Sequence, residues 1–363
     1  MVERFCPTTP SGPEENLLLD RKEITFLNTG CVLLNCVIGG PRGGWPFGRV
    51  VNIVGDKSTG KTLLAEEAIA NLLIEYPQSK AYYRECESAF DKSYAKALGV
   101  NLDKVDFGPE GIDTHWDTIE DVVEDLIGIL DRFDKLVAEK IAKLKLLKVN
   151  KKQKIDILRA QAIKTIPPTI YIIDSLDGLS DRAEMKRSLD TGSYNLAKPK
   201  MMSAFFRQEV RRIKRSNICL IVISQIRDRI GPVIRGDKYT RAGGRALDFY
   251  ASAVIFLAHL GKIKETHKGI QRVVGVRIKA QAKKNKIVSP FRECEFDIVF
   301  GYGIDDLWSC LDYLKSVNKL GSLGLRELPN NLDGIEPERI REVTRKTYVE
   351  IEKMFEPTKG KYA

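Results

Sequence analysis

The chain has 363 residues, 43% of them hydrophobic, which is enough apolar material for a large buried core and argues against a wholly disordered protein. Lysine and arginine total 59 against 49 acidic residues, and a formal charge of +10 favours a polyanionic partner such as nucleic acid. Seven cysteines are scattered without a CxxC pair and only three histidines accompany them, so the expectation is buried free thiols in a reducing cytoplasm and no zinc site. No apolar run reaches the roughly 18 residues that would suggest a membrane span, and the opening MVERFCPTTPSGPEEN has no signal-peptide pattern. A soluble cytoplasmic protein is expected.

Residues 1 to about 20 carry Pro7, Pro10 and Pro13 among Ser, Thr and Glu, and read as an arm. From Gly30 onward, strands rich in Val, Ile and Tyr (Val50 to Val54, Ala81 to Arg84, Thr169 to Ile173, Ile218 to Ser224, Ala253 to Leu257) alternate with helical stretches. That alternation predicts an α/β domain with a mostly parallel sheet flanked by helices. Between Asp117 and Lys164 the apolar residues Val122, Leu126, Leu130, Phe133, Val137, Ile141 and Leu144 fall at helical spacing, which predicts one long helix or a helical hairpin. Its middle holds Lys140, Lys143, Lys145, Lys148, Lys151, Lys152 and Lys154 with no acid among them until Asp156, which reads either as a solvated face or as a contact for an acidic partner. After about Gly303 the chain turns to short helices, Leu307 to Val317 and Glu336 to Phe355.

The strongest motif is Gly55-Asp56-Lys57-Ser58-Thr59-Gly60-Lys61-Thr62, a GxxxxGK[ST] run placed after the strand Val50 to Val54 and before a helix beginning near Leu63. Glycines let such a loop curl so that its amides face phosphates, with the helix N-terminus adding favourable partial charge. Lys61 is expected on the β and γ phosphates and Thr62 on Mg²⁺, so ATP and Mg²⁺ are the implied cofactors. A second carboxylate on the metal side has to come from the end of a neighbouring strand, and Thr169 to Ile173 ends in Asp174. Water attacking a phosphate needs a carboxylate to orient it, and Tyr82-Tyr83-Arg84-Glu85-Cys86-Glu87 offers both Glu85 and Glu87.

Over roughly Gly30 to Asp305 these motifs, in this order, resemble the bacterial RecA recombinase family. Thr29-Gly30 and Pro46-Phe47-Gly48-Arg49 resemble that family's approach to its first core strand. Glu87-Ser88-Ala89-Phe90-Asp91, with Tyr94-Ala95 and Leu98-Gly99-Val100, resembles the segment of its catalytic glutamate. The resemblance selects Glu87 as base and implies adenine contacts for Asp91 and Tyr94. Asp174-Ser175 matches the family's metal-side aspartate and serine. Ser224-Gln225-Ile226-Arg227 resembles its NQIR element with serine replacing asparagine, and implies that Gln225 senses the γ-phosphate and passes its state to a DNA-binding loop. In that loop Arg227, Arg229, Arg235, Lys238, Arg241, Gly243, Gly244 and Arg245 are the implied DNA contacts, and Ala246-Leu247 and Phe249-Tyr250-Ala251-Ser252 follow as in the family. The stretch Glu184 to Lys200 occupies the place of the family's first DNA-binding loop. Lys284-Asn285-Lys286-Ile287, with Pro290-Phe291, Phe300-Gly301 and Gly303-Ile304, resembles the KNK segment, implying that Lys284 and Lys286 complete a neighbouring subunit's site.

Three departures accompany the match. The arm (1–29) is shorter and richer in proline than the family's polymerisation element, the lysine-rich helical stretch (about 117–164) looks like an insertion in the ATPase core (30–305), and the extension (306–363) lacks an acidic tail. Such trimming fits a divergent, phage-type relative, for which the host cytoplasm is the compartment. The resemblance implies a DNA-dependent ATPase that binds single-stranded DNA as a homo-oligomeric filament, pairs it with double-stranded DNA and exchanges strands, with loader or single-strand-binding proteins as further partners. Two other readings share the phosphate loop: a recombination mediator or regulatory paralogue without strand exchange, and a replicative helicase motor of the same fold.

Overall fold

The computed structural model describes residues 24–87, 90–146, 155–186, 197–228, 239–240 and 244–355. In chain order the first elements are strand β1 (Phe26–Leu27), helix α1 (Val32–Gly39), β2 (Trp45–Pro46), β3 (Arg49–Gly55), α2 (Lys61–Glu75), β4 (Ala81–Glu85), α3 (Lys92–Ala97) and β5 (Val105–Asp106). Next come α4 (Ile119–Leu146), α5 (Ile155–Lys164), β6 (Thr169–Asp174), α6 (Arg182–Met185), α7 (Ala197–Lys214), β7 (Ile218–Gln225), β8 (Arg227–Asp228) and β9 (Tyr239–Thr240). The chain continues through α8 (Gly244–Tyr250), β10 (Ala253–His267), β11 (Ile270–Asn285), β12 (Glu293–Val299), β13 (Gly303–Asp305), α9 (Asp306–Ser316) and α10 (Pro337–Met354).

Nine strands form one sheet in the order β13-β12-β11-β10-β3-β7-β6-β4-β5. From β10 across to β5 every pairing is parallel, as the strand and helix alternation predicts, whereas β10 to β13 form an antiparallel wing. The five strands read from sequence are all present. The predicted helical stretch is two helices, α4 and α5, and residues 147–154 between them lie outside the described residues. The N-terminal arm as far as residue 23 also lies outside them.

The central strands β3, β6 and β7 are largely apolar because both of their faces are covered. Val51 and Ile53 of β3, Ile170 and Ile172 of β6, and Cys219, Ile221 and Ile223 of β7 join the core under α1 and α2, with Leu34, Leu64, Ala68 and Leu72 opposite. The alternate residues Val50, Val54, Tyr171, Ile173, Leu220 and Val222 join the core under α4, α5 and α7, against Leu126, Phe133, Ala162 and Phe206. Each fully buried side chain of this size contributes about 1.5–3 kcal/mol, so the two-faced pattern holds the central strands firmly. Helices α4 and α5 are tied to this body by charge as well: Asp134 of α4 accepts from Arg159 of α5 at 2.9 Å and from Arg212 of α7 at 2.9 Å. A third, smaller core joins Val32 of α1 to Leu311 and Leu314 of α9 and Ile340 of α10, so the C-terminal helices pack on the main body.

One buried cation stands out. Arg84 of β4 is 1% exposed, donates to Asp125 of α4 at 2.7 Å and to the Asp106 carbonyl at 2.6 Å, and lies against the rings of Trp116, Tyr171 and Tyr82. Trp116 in turn donates its indole N–H to the Phe107 carbonyl at 2.8 Å and its backbone amide to the Glu85 carbonyl at 2.9 Å. Paired and stacked, the guanidinium fixes the strand that carries Glu85.

Candidate nucleotide site

Parallel pairing brings four strand ends level. Gly55 of β3 faces Gln225 of β7, and Glu85 of β4 faces Asp174 of β6, so the chemistry-bearing residues converge at one carboxyl edge of the sheet, where open α/β sheets bind ligands. The phosphate loop leaves β3 there. Ser58 and Gly60 both have positive φ, and a Cβ added at Gly60 would sit 2.4 Å from Ile298 Cδ1, so this loop conformation requires glycine at that position. Lys57 N–H donates to the Asp56 carboxylate at 2.7 Å and Thr59 Oγ1 to the Asp56 carbonyl at 2.8 Å, which closes the loop on itself. Helix α2 begins at Lys61, two residues before the predicted start, with Gly60 in its N-cap position and no side-chain cap. The first amides of α2 therefore have no side chain over them, an arrangement suited to phosphate oxygens.

Lys61 is 9% exposed and donates its ammonium to the Asp56 carbonyl at 2.6 Å, and burial lowers its pKa, opposed by Asp174 and Glu87. Thr62 Oγ1 donates to Asp174 Oδ2 at 2.7 Å, and Tyr83 donates its hydroxyl to the same oxygen at 2.6 Å. Burial pushes the Asp174 carboxyl up to about 6 despite those two bonds, with Glu85 and Glu87 adding to the rise. A buried carboxylate beside a threonine hydroxyl, in a neighbourhood of excess negative charge, is a donor set suited to a hard divalent cation. The residues present thus fit a magnesium nucleotide: Lys61 and the loop amides for phosphates, Thr62 and Asp174 for the metal.

The two glutamates are separated by their surroundings. Glu85 is buried and accepts the Glu87 amide at 2.8 Å, whereas Glu87 is exposed. Gln225 Nε2 donates to both Glu87 oxygens, at 2.9 and 3.0 Å, and Ser175 donates to Glu87 Oε1. The backbone amide of Gln225 is held by Asp177 at 2.7 Å, and Ile226 N–H donates to the Gly55 carbonyl. Asp91 is the N-cap of α3, accepting from Ser93 and Tyr94 amides at 2.8 and 3.0 Å. Tyr94 is half-buried with its hydroxyl bonded to the backbone of Gly301, which sets the exposed Phe300 and Tyr302 beside α3.

Lys284 and Lys286 stand apart from this edge. Both ammonium groups bond the Phe249 carbonyl at the end of α8, at 2.9 and 2.7 Å, and Lys284 also bonds the Asp248 carbonyl. In the sheet register Lys284 pairs with Val254, which pairs with Asn52, three residues short of Gly55. That is about 10 Å behind the phosphate loop of the same chain. Of the implied DNA contacts, Arg229, Arg235, Lys238, Arg241 and Gly243 lie outside the described residues, as do residues 187–196 of the first loop. Arg227 opens β8, which pairs with β9, while Gly244 and Arg245 open α8.

The sequence did not single out Tyr83, Asp177 or Glu66. Tyr83 lies in β4 but bonds Asp174, 91 residues further along the chain, so no local signal marked its role, whereas Asp177 follows Asp174 by three residues and was legible. Glu66 follows Thr62 by one helical turn and is 2% exposed; burial pushes its carboxyl up to about 8, with Asp174, Asp91 and Glu85 adding to the rise.

Comparison with known proteins agrees with this geometry. The family model for the RecA N-terminal domain matches residues 16–145 and 150–305. Protein RecA of Clostridioides difficile is 31% identical over 81% of this chain and 71% of its own length. Protein RecA of Porphyromonas gingivalis is 31% identical over 83% and 75%, and that of Chlamydia trachomatis serovar L2 is 32% identical over 83% and 72%. With its phosphate loop, Asp174 and Gln225 gathered at one sheet edge and this extent of likeness, the chain belongs to the RecA family of ATP-dependent recombination proteins.

Proposed function

We propose that this DNA-dependent ATPase binds magnesium ATP at Gly55 to Thr62, assembles on single-stranded DNA as a helical filament in the cytoplasm, and pairs that strand with homologous duplex. The observation that carries the reading is the clamp on Glu87. Gln225 and Ser175 hold the exposed carboxylate at the ends of β7 and β6, level with the phosphate loop. Bound there, Mg²⁺ supplies charge stabilisation for the transferring phosphoryl group.

Lys61 leaves the Asp56 carbonyl for phosphate oxygens, and Thr62 with Asp174 holds the metal side. Glu87 orients the attacking water and accepts its proton. Gln225 leads directly into the loop of implied DNA contacts, so a change in what its amide holds reaches that loop through Ile226 and Arg227. Asp91 and Tyr94 are assigned to the base by resemblance; in this structure Asp91 caps α3, so any base contact adds to that structural role. Lys284 and Lys286 lie too far behind their own phosphate loop to serve it, which supports their acting on a neighbouring copy. ATP and DNA then favour the same assembled state, and each tightens binding of the other.

Steady-state ATP turnover with and without single-stranded DNA, over a range of protein concentrations and with Lys61→Ala as the blank, tests the reading. DNA stimulation that rises cooperatively with protein concentration is expected. Turnover indifferent to both would favour a mediator without strand exchange.

A further inference from the structure

Asp174, on the metal side of the nucleotide site, has a partner that neither the phosphate loop nor the clamp on Glu87 accounts for. Its Oδ2 accepts two hydroxyls, from Thr62 at 2.7 Å and from Tyr83 at 2.6 Å, and Oδ1 has no hydrogen bond among the described residues. The sheet register brings Tyr83 there. In β4 it lies opposite Ile172 of β6, two residues before Asp174, so Tyr83 and Asp174 share the face that looks toward α2. On that face Asp174 is the diagonal neighbour of Tyr83, within reach of its hydroxyl.

The ring is held in one place. Tyr83 is 0% exposed, and its ring meets Phe90 at 4.9 Å and Phe107 at 5.9 Å between centroids. A phenylalanine would fill that apolar pocket equally well. Placing a hydroxyl in it costs stability unless the hydroxyl is bonded, and among the described residues Asp174 is its one partner. The oxygen therefore serves Asp174 and not the packing. Thr62 differs, because its hydroxyl can donate to Asp174 and still offer a lone pair to a cation. Tyr83 is fully buried behind the carboxylate, so whatever it contributes passes through Asp174. Groups that hydrogen-bond a metal-binding side chain orient it, and their loss costs about 10–100-fold in metal affinity or activity.

We propose that Tyr83 is a positioning residue for the magnesium site: its hydroxyl holds Asp174 by Oδ2, leaves Oδ1 for the metal side, and so sets how much Mg²⁺ the nucleotide site needs. The inference rests on the reading of Gly55 to Thr62 as a magnesium nucleotide site and adds a residue that this reading does not use. Glu66, Glu85 and Glu87 add negative charge around Asp174, and a carboxylate repelled by three neighbours needs an anchor to stay aimed. With two anchors, Thr62 can turn toward the cation while Tyr83 keeps Asp174 in place.

The test compares the full chain with Tyr83→Phe, which removes the hydroxyl and keeps the ring. Binding of ADP carrying a fluorescent ribose label is followed by anisotropy as Mg²⁺ is titrated in, with EDTA in place of Mg²⁺ as the reference. Mn²⁺ bound in the presence of ADP is measured by electron paramagnetic resonance, and ATP turnover is followed over the same Mg²⁺ range. In Tyr83→Phe the Mg²⁺ concentration at half-saturation should rise about 10–100-fold, and Mn²⁺ affinity should fall to match. Turnover should return toward the wild-type level once Mg²⁺ is saturating, and binding in EDTA should not change. Phe107→Leu loosens the same pocket with the hydroxyl intact; it should lower the melting temperature and leave the Mg²⁺ requirement alone. An unchanged Mg²⁺ requirement in Tyr83→Phe overturns the proposal. So does an equal loss in EDTA, or an equal rise in Phe107→Leu, either of which would make Tyr83 a packing residue only. Wild-type nucleotide binding indifferent to both Mg²⁺ and Lys61→Ala would count against the underlying reading, whatever Tyr83→Phe does.

Discussion

Two sets of lysines in this molecule invite comparison. Lys61 is nearly buried, folded onto its own loop and near Asp174 and Glu87, whereas Lys284 and Lys286 both bond the Phe249 carbonyl at the end of α8. The first sits at the carboxyl edge of the sheet and the others about three residues behind it, on a strand that runs the opposite way. A lysine that is pre-positioned serves its own chain; lysines parked on backbone carbonyls are held by bonds worth only about 1.5–3 kcal/mol each, which a better anion displaces. On the proposed assignment of Lys284 and Lys286 to a neighbouring copy, the difference teaches that one copy of this fold carries two halves of a site that it cannot join.

The largest expected effect comes from removing the pre-positioned half. Lys61→Ala should lower ATP turnover by at least about 100-fold while leaving the thermal unfolding curve nearly in place, because the side chain makes only one bond to its own loop. Glu87→Gln should be of comparable size, about 100-fold in turnover, with nucleotide and DNA affinity changed by no more than a few-fold. Normal turnover in that variant would return the base to Glu85.

The paired variant Lys284→Ala with Lys286→Ala sharpens the comparison. Alone it should hydrolyse ATP slowly, and so should Lys61→Ala, yet an equal mixture should recover about one quarter of wild-type turnover, because random head-to-tail interfaces then include intact ones. No recovery on mixing would place both lysine sets in one chain's chemistry and break the distinction.

The smallest effect concerns pH. Glu66 holds its proton in the folded chain up to about 8, against an ordinary value of 4.5. Between those values the folded state binds a proton that the unfolded chain has released, so stability falls as pH rises through that window and the full penalty is present above it. Glu66→Gln removes the penalty. Its gain in melting temperature over wild type, measured by calorimetry, should be larger at pH about 8.5 than at pH about 5. An equal gain at both would show that Glu66 is not holding a proton.

Much of this site could be read from the sequence because its parts are local. A loop between a strand and a helix has a fixed spelling, and an acid at the end of an apolar strand can be found by eye, so Gly55 to Thr62 and Asp174 needed no tertiary information. The clamp on Glu87 joins β4 to β6 and β7 across 88 and 138 residues of chain, and only the register shows it. The outer halves of β10 and β11 were missed for another reason: from Ala258 to Val274 nearly every position faces solvent, so no alternation of apolar and polar residues marks them as strand. Glu66 was invisible because one acid on an apolar helix face looks like any other surface glutamate.

The packing around Arg84 has an optical consequence. Trp116 stacks on that guanidinium, and its own amide bonds the carbonyl of Glu85, two residues before Glu87. Indole emission is sensitive to a nearby positive charge, so this ring is a built-in lamp on the strand that leads to Glu87. The other two tryptophans, Trp45 and Trp308, lie on different elements. With both replaced by phenylalanine, the remaining signal would follow nucleotide arrival in real time, with no dye attached to the protein.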